Sequence, residues 1–312
     1  MSDHIDLGAG REFDLVRTFL RDWGASAQGI GDDAAVLQVP SDEKLVVSTD
    51  TSVDGVHFER AWLSHFEIGY RATVASLSDL AAMAARPIGV LIALTLPDAD
   101  REEARSLATG IRDGAAAVLC PIVGGDLTAG KVLSITVTAL GRSPNPLSRA
   151  GARAGQRIYV TGCLGGPAAA VRAWRGGKAP RDPDRARFAR PTPRVDAAIA
   201  LAKRGATAAI DISDGLSADL GHIAAASKVR IEIDLERIPR VDGVSHLDAA
   251  TSGEEYEVVV AAPQIDTRLF SEDVGIDLTE IGRVVAGQPG VVLFEDGAHV
   301  DTPPGFDHFR NR

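Results

Sequence analysis

The sequence predicts an α/β (α+β) protein of two domains, residues 1–143 and 144–312. Three observations support this prediction. The chain has 312 residues, more than one typical domain of about 100–200 residues. Segments with strand character alternate with amphipathic helical segments in both halves. Between the halves, residues 141–146 form a cluster of glycine, proline, serine and asparagine that is typical of a linker.

The elements of the first half follow from apolar spacing and from the residues at their ends. An alanine-rich and leucine-rich segment with helical spacing closes before Pro87. A later helix carries Glu102 and Glu103 in its first turn, where the helix dipole favours negative charge. In chain order, the predicted elements are helix 12–22, strand 44–49, helix 68–85, strand 90–96, helix 101–119 and strand 132–140.

The second half repeats the alternation. Pro167 suits the first position of a helix, and residues 175–194, rich in arginine, proline and aspartate, are predicted to form an exposed loop. In chain order, the predicted elements are strand 157–161, loop 162–166, helix 167–174, loop 175–194, helix 194–204, strand 206–211, helix 215–227, strand 229–235, strand 257–262 and strand 282–285.

Charge and apolar content exclude several classes of partner. The net charge of −10 argues against nucleic acid. The basic loop 175–194 also contains acidic residues and almost no aromatics, so it is predicted to be solvated. The longest apolar runs, such as 90–96, are far shorter than the ~20 residues that span a bilayer. We therefore expect neither nucleic acid nor membrane as a partner.

The cysteines and the first residues indicate the compartment. Cys120 and Cys163 are too few for a disulfide framework, and neither has the spacing of a zinc site. The first residues show no basic region followed by an apolar stretch, so no secretory signal is expected. The predicted location is the cytoplasm.

Five short segments place aspartate at a predicted turn or strand end. Magnesium prefers oxygen ligands, usually a few carboxylates together with substrate phosphates and water. A single aspartate beside glycine usually forms a turn or caps a helix, but five such segments together predict a magnesium site. They are GIGDD (29–33), STDT (48–51), LSDL (77–80), GGD (124–126) and DISDG (211–215).

Two glycine-rich segments are candidate phosphate loops. Residues 125–131 match GxxxxGK, but Val132 replaces the hydroxyl residue of a Walker A motif, and a strand follows where that motif requires a helix. We reject a Walker A loop, although Gly124 to Asp126 can still contact phosphate through backbone N–H groups. Residues 162–166 lack the spacing of a dinucleotide loop, so they are predicted to form a tight structural turn.

Three basic side chains are candidate ligand contacts. His57 follows Asp50 in a glycine-containing connection, and substrate contact and ordinary packing are equally compatible with that position. Arg149 and Arg153 come just after the linker. Two interpretations stay open for each arginine, a surface charge and a phosphate contact. The position favours the second, because arginine at a domain junction suits phosphate.

Seven motifs, in order from about residue 11 to residue 309, resemble the thiamine-monophosphate kinase family. That family belongs to the superfamily of aminoimidazole ribonucleotide synthetase. The resemblance implies a two-domain aminoimidazole ribonucleotide synthetase-like fold, an N-terminal domain that dimerises through its sheet into a homodimer, and a C-terminal α/β domain that closes an ATP and Mg²⁺ cleft. The motifs are GIGDDAAVL (29–37), STDTSVDGVHF (48–58), SLSDLAAM (76–83), GGDLT (124–128), DISDGLSADLGHI (211–223), SGEEYEV (252–258) and GFDHF (305–309).

The resemblance also implies an activity and a set of site residues. The activity is direct in-line transfer of phosphate from ATP to thiamine monophosphate, with several Mg²⁺ ions and without a phosphoenzyme. The cationic thiazolium ring of the acceptor suits an acidic and an aromatic contact. The implied metal ligands are Asp33, Ser48, Thr49, Asp50, Asp79, Asp126, Asp211 and Asp214, with Asp50, Asp79, Asp126 and Asp214 central to catalysis; the ATP contacts are Gly125, Asp126, Arg149 and Ser213; the acceptor contacts are His57, Glu254 and Phe306.

The sequence departs from the family pattern at Leu127, Ser252 and Glu255, and the aromatic residue expected near 107–110 is absent. Two alternatives stay open. One is another ATP-using enzyme of the superfamily, such as aminoimidazole ribonucleotide synthetase or selenophosphate synthetase, although the latter would need a reactive cysteine before Cys120. The other is a non-catalytic nucleotide-binding homologue, which would be marked by lost carboxylates.

Overall fold

The computed structural model describes residues 11–28, 30, 34–97 and 101–301, except the side chains of residues 11–13. The described chain forms two compact units. Unit 1 contains the described residues up to Leu80 together with 85–145 and 189–193. Unit 2 contains 81–84, 146–188 and the described residues from Arg194 onward.

The elements of the first half, in chain order, are α1 (Arg11–Trp23), β1 (Lys44–Val53), α2 (His65–Ala82), β2 (Arg86–Leu96), α3 (Arg101–Ala116), β3 (Ile122–Ala129) and β4 (Ser134–Ser143). Within the described residues, four strands form a sheet in the order β1-β4-β2-β3. Only β2 and β3 pair in parallel.

Helices cover one face of this sheet, and glycines let them approach closely. Ser76 of α2 donates a hydrogen bond to the carbonyl of Val137 in β4, so α2 lies on the face that carries Val137. A Cβ atom at Gly110 of α3 would stand 1.9 Å from the carbonyl oxygen of Phe66 in α2. The backbones of α2 and α3 therefore touch at a point where a side chain does not fit.

The other face of the unit 1 sheet is open. Leu45 and Val47 of β1 are 52% and 56% exposed. Because side chains alternate along a strand, Thr49 and Thr51 share this face, where Thr51 Oγ1 lies 2.9 Å from Thr136 Oγ1. We define the open face of unit 1 by these four β1 residues and their β4 neighbours.

The elements of the second half are β5 (Arg157–Thr161), α4 (Gly166–Arg175), α5 (Asp182–Ala189), α6 (Val195–Lys203), β6 (Ala208–Asp211), α7 (Leu216–Ser227), β7 (Arg230–Asp234), α8 (His246–Ala250), β8 (Val258–Ala262), α9 (Thr267–Val274), β9 (Leu278–Val285), β10 (Gly290–Glu295) and β11 (Ala298–Val300). Within the described part of the chain, seven strands form a sheet in the order β11-β10-β7-β9-β5-β8-β6. Its main core joins β5, β6, β8 and β7 to α7 through fully buried residues such as Ile158, Ile210 and Leu220.

The two-domain α/β fold is confirmed, and several element predictions were wrong. Residues 182–189 form α5, not a loop: Asp184 is 3% exposed and pairs with Arg181, and Phe188 packs edge-on against Trp174. The sequence prediction also missed β3, α8, α9, β10 and β11. No helix in the described residues combines the length and apolar character that crossing a bilayer requires.

Three predicted turns or ends lie inside regular elements instead. Asp50 lies within β1, which continues to Val53, and the GGD segment lies within β3. Asp79, by contrast, lies in the last turn of α2, inside the predicted helix 68–85. Residues 141–143 belong to β4, which shortens the predicted linker. Aspartate and glycine have low strand propensity, so the local signal favoured a turn where pairing with neighbouring strands decided otherwise.

Candidate active site

In unit 1, the structure brings Ser48 and Asp79 together. Ser48 of β1 donates a hydrogen bond from Oγ to Oδ2 of Asp79 in α2. Strand alternation places Asp50 on the same face as Ser48 and places Thr49 on the open face. There, Thr49 Oγ1 lies 3.1 Å from Thr138 Oγ1. Ser48, Asp50 and Asp79 therefore share one side of the sheet, and the hydroxyl of Thr49 lies on the other.

Asp126 is not brought to Asp50 within unit 1. The two residues lie on β3 and β1, the opposite edges of the sheet. Asp126 pairs with Ala93, Ala93 with Thr136, and Thr136 with Thr51. With strands about 4.8 Å apart, Asp126 is roughly 14 Å from Thr51, the neighbour of Asp50. Both aspartates are exposed.

Gly125 holds β3 against β2. A Cβ atom at this position would stand 2.0 Å from the carbonyl oxygen of Ile92. We expect Gly125→Ala to lower the free energy of unfolding by about 1–3 kcal/mol because the backbone of β2 must move. The matched control is Gly221→Ala, since Gly221 lies inside α7 with nothing within 4 Å of the added carbon. Urea unfolding should show the control up to about 1 kcal/mol more stable than wild type; equal stability of the two variants would contradict the account.

His57 lies in a tight turn after β1. The backbone N–H of Val53 donates to His57 Nδ1 at 3.1 Å, and Gly55 provides the left-handed conformation at φ +77°. Since Nδ1 accepts a hydrogen bond, the proton of the neutral ring is assigned to Nε2. His57 thus has a defined tautomer with Nε2–H as a donor, which suits contact with an anionic or carbonyl oxygen.

In unit 2, a turn after β6 places three aspartates close together. Asp211 ends β6 and is 5% exposed. The backbone N–H groups of Ser213 and Asp214 donate to Oδ2 of Asp219, at 3.1 and 3.2 Å. Burial, together with the negative charges of Asp211 and Asp214, raises the pKa of Asp219 to about 8. Sequence reasoning missed Asp219, although an acidic residue five positions after Asp214 in a predicted helix was the available signal.

The segment 252–257 holds Glu254 against this turn. The N–H of Glu254 donates to the carbonyl of Ser213 at 2.7 Å, and the N–H of Tyr256 donates to the carbonyl of Ile212 at 2.9 Å. Glu254 and Tyr256 adopt φ values of +63° and +54°, which cost free energy for residues other than glycine. Tyr256 also donates its hydroxyl to Glu254 Oε2 at 2.6 Å. The predicted ATP contact Ser213 and the predicted acceptor contact Glu254 are therefore neighbours.

The remaining predicted site residues are Arg149, Asp33 and Phe306. Arg149 is exposed, and its carbonyl accepts a hydrogen bond from Ser227. Asp33 and Phe306 lie outside the described residues. In the described ranges, no group of three or more histidine, cysteine, aspartate or glutamate side chains is arranged to hold a metal ion. The metal and substrate assignments therefore stay predictions.

Residues 162–166 form a structural turn, and the carboxylate of Glu255 binds a backbone N–H of this turn. Gly165 N–H donates to Oε1 of Glu255 at 2.6 Å, and Ser252 Oγ donates to the same oxygen. Ser252 Oγ also accepts from the N–H of Ala168 at 3.4 Å, in the first turn of α4. Glu255 and Ser252, the two departures in SGEEYEV, are thus direct partners that satisfy the start of α4.

Glu255 makes stability depend on pH. Its Oε2 is buried and has no hydrogen-bond partner among the described residues. Burial raises the pKa of Glu255 to about 8 from 4.5. Since the folded-state value is the higher one, the stabilising proton is bound in acid and is lost as pH rises toward 8.

We expect Glu255→Gln to remove this dependence, because glutamine does not titrate. The free energy of unfolding of wild type, relative to Glu255→Gln, should fall by about 1 kcal/mol per pH unit between about pH 5 and 8. Urea unfolding across that range is the measurement. Glu272→Gln, at a carboxylate whose side chain is 58% exposed, is the control and should follow wild type. Parallel pH profiles of the free energy of unfolding for wild type and Glu255→Gln would contradict the interpretation.

Comparison with known proteins identifies the family. Residues 31–143 match the N-terminal domain and residues 153–294 the C-terminal domain of AIR synthase related proteins. The thiamine-monophosphate kinase of Escherichia coli K12 is 36% identical over 318 aligned positions, covering 96% of both chains. Among solved structures, thiamine-monophosphate kinase from Stenotrophomonas maltophilia K279a is 36% identical, with a TM-score of 0.82 over 95% of this chain and 99% of that one.

A further solved structure carries ligands. AaThiL complexed with AMPPCP and TMP is 31% identical, with a TM-score of 0.76, and the match covers 96% of this chain and 97% of that one. These similarities extend over nearly the whole length of both partners in each comparison. The chain belongs to the thiamine-monophosphate kinase family, within the AIR synthase related proteins.

Proposed function

We propose that this chain is a thiamine-phosphate kinase that converts ATP and thiamine monophosphate into ADP and thiamine diphosphate. The observation that carries the proposal is the 36% identity to a relative of that name over 96% of both chains. The AaThiL complex contains AMPPCP and TMP, a pair that corresponds to a phosphoryl donor and this acceptor. The turn at Ser213 and Glu254 gives the proposal a structural counterpart in this chain.

The reaction needs no general base. An oxygen of the acceptor phosphate attacks the γ-phosphorus of ATP, the bond from that phosphorus to the β–γ bridging oxygen breaks, and ADP leaves with its electron pair. A phosphomonoester has its second pKa near about 6, so its oxygen is largely ionised at neutral pH. Positioning and charge neutralisation therefore supply most of the catalysis, as in other phosphoryl transfers.

The donor set fits magnesium. The assigned side chains offer only oxygen, the element that Mg²⁺ prefers. In the described residues, the carboxylates of Asp50, Asp126 and Asp214 form no ion pair with a basic side chain. The mutual repulsion near Asp219 has the sign that a cation relieves. When bound, Mg²⁺ neutralises phosphate oxygens; its ligands would be Asp33, Ser48, Thr49 (through its backbone), Asp50, Asp79, Asp126, Asp211 and Asp214.

The other assigned residues of this chain bind and orient the two substrates. The ATP contacts would be Gly125 through its backbone N–H, Ser213 through its hydroxyl and Arg149 through its guanidinium. His57 would donate from Nε2 to the acceptor. Glu254, held by Tyr256, would meet the positive thiazolium ring, and Phe306 would pack against that ring.

A second copy of the chain is the proposed partner of the open face of unit 1. Exposed Leu45 and Val47 lie beside a row of threonines, an apolar centre with a polar surround that suits a self-complementary interface. We expect light scattering to give twice the mass of one chain, and Leu45→Asp with Val47→Asp to give a monomer. Lys178→Asp, at an exposed position in unit 2, is the control. A monomeric wild-type protein would contradict the homodimer.

The proposed location is the cytoplasm. Cys120 and Cys163 are both free thiols, as expected in a reducing compartment.

A product assay tests the function. Purified protein, ATP and Mg²⁺ are incubated with thiamine monophosphate or with the formylglycinamidine ribonucleotide substrate of an aminoimidazole ribonucleotide synthetase. We expect thiamine diphosphate and ADP in equal amounts from the first mixture, and background ADP from the second. ADP formation with inorganic phosphate and no thiamine diphosphate would overturn the proposal. ATP binding without turnover in either mixture would favour a non-catalytic homologue.

A further inference from the structure

Asp219 lies behind the turn that carries two of the assigned site residues. It occupies the first turn of α7 and is 2% exposed. One of its oxygens, Oδ2, accepts both backbone N–H groups of the turn, from Ser213 at 3.1 Å and from Asp214 at 3.2 Å. A single carboxylate oxygen therefore fixes two consecutive peptide groups.

The backbone carbonyl groups of the turn accept hydrogen bonds from the 252–257 segment. The carbonyl of Ser213 accepts from Glu254, and the carbonyl of Ile212 accepts from Tyr256 and Glu255. Gly215 closes the turn at φ +113°, and a Cβ atom there would stand 2.9 Å from the carbonyl of Thr251. The carbonyls are thus anchored by the 252–257 segment, whereas the two N–H groups depend on Asp219.

This arrangement lowers the free energy of unfolding, because a buried carboxyl group loses its hydration. Asp219 is 2% exposed, and two further acids, Asp211 and Asp214, belong to the turn that it supports. A helix start is normally satisfied by a serine, threonine, asparagine or aspartate at the N-cap, yet the N-cap of α7 is Gly215 without a side-chain bond. A buried acid in this position is better explained by the orientation that it gives to the turn.

We propose that Asp219 is a positioning residue, which orients the backbone of Ser213 and Asp214, and with it the Asp214 side chain, without contacting metal or substrate. The inference rests on the proposed function of Ser213 and Asp214. It predicts that an uncharged residue with one well-placed oxygen can replace Asp219, because a single oxygen makes both bonds. A metal ligand, in contrast, requires the charge.

The test compares Asp219→Asn, which keeps one acceptor oxygen, with Asp219→Ala, which keeps none. Amide hydrogen exchange of the 211–219 segment is measured in the metal-free protein, so this readout does not depend on activity. We expect exchange at Ser213 and Asp214 to be at least about 10-fold faster in Asp219→Ala and within about 3-fold of wild type in Asp219→Asn. The control is Asp184→Ala, which removes an aspartate of similar burial from α5 of the same unit.

Turnover and the Mg²⁺ requirement are then measured on the same variants. We expect kcat to fall about 10- to 100-fold in Asp219→Ala, as for residues that orient ligands indirectly, and Asp219→Asn to recover most of it. Asp184→Ala should keep wild-type turnover. Loss of turnover in Asp219→Asn equal to that in Asp219→Ala would show that the charge itself is needed and would overturn the proposal. Unchanged exchange in Asp219→Ala would also overturn it.

Two further outcomes can be distinguished from a failure of the Asp219 proposal. If Asp219→Ala does not fold, Asp219→Asn decides alone, through its exchange and its turnover. If wild type makes no thiamine diphosphate, the proposed function fails, while the exchange data still test whether Asp219 holds the turn.

Discussion

Asp79→Asn is expected to reduce kcat at least ~100-fold at saturating Mg²⁺, the magnitude that loss of one key electrostatic group produces in other enzymes. Asp79 lies in the last turn of α2 and accepts a hydrogen bond from Ser48. Asparagine has the same shape and keeps an acceptor for Ser48, so the fold should persist. It loses the charge that a Mg²⁺ ligand provides. The loss should therefore be seen in turnover and not in thermal stability.

The measurement is the rate of thiamine diphosphate formation as a function of Mg²⁺ concentration, with melting temperature as the check on folding. Asp50→Asn and Asp126→Asn extend the series, and each should show a loss of similar size. Asp113→Asn is the matched control, since Asp113 lies on α3 of the same unit in a partly exposed pair with Arg112. Near wild-type turnover in all three site variants would refute the metal assignment.

Arg194→Leu is expected to destabilise the protein by about 3–5 kcal/mol, because it leaves a buried carboxylate without its main counter-charge. Glu257 has a side chain only 3% exposed, and Arg194 binds it with two hydrogen bonds, at 2.6 and 2.7 Å. Thr161 donates a third bond at 2.6 Å, whereas Arg187 stays 4.0 Å away. Neither neighbour replaces the lost guanidinium.

Urea unfolding measures this loss, and the chain offers a matched control. Arg268→Leu on α9 removes an arginine from a pair with Glu272 in which the side chains are 74% and 58% exposed. It should cost less than about 1 kcal/mol, as exposed pairs generally do. A second comparison, Arg194→Leu combined with Glu257→Leu, should recover part of the stability by removing the stranded charge. Equal effects of the two arginine substitutions would contradict the explanation.

The fold class could be predicted from the sequence because it depends on local periodicity. The alternation of strands and helices is visible in apolar spacing, and the Walker A loop could be rejected because Val132 is followed by a strand, which β4 confirms. Local signals failed where tertiary contacts decide. Helix α5 is held by packing of Phe188 on Trp174, a contact that spacing along the chain does not encode.

The candidate site could be predicted only in part, for the same reason. Aspartates were found by residue type and turn context, but their mutual distances depend on strand order. Asp50 and Asp126 occur in similar motifs, yet β1 and β3 form opposite edges of one sheet. Asp219 was missed because its role consists of hydrogen bonds to backbone groups that residue identity does not reveal. Likewise, Ser252 and Glu255 were noted as separate departures, whereas the structure shows one bonded pair.

The structure also explains why the departures in SGEEYEV need not disturb chemistry. Ser252 and Glu255 bond to each other and to the N–H of Gly165, so their side chains satisfy a structural turn. Glu254, between them in the chain, is held instead by Ser213 and Tyr256. In this segment, Ser252 and Glu255 therefore support the turn, whereas Glu254 makes the proposed contact with the acceptor.

The most direct test of the account is a crystal structure of the protein with Mg²⁺, AMPPCP and thiamine monophosphate. We expect carboxylate oxygens of Asp50, Asp79, Asp126, Asp211 and Asp214 at about 2.0–2.1 Å from magnesium ions. We also expect the acceptor oxygen in line with the γ-phosphorus and the bridging carbon. Magnesium ions bound by phosphates and water alone, with these carboxylates away from the metal, would contradict it.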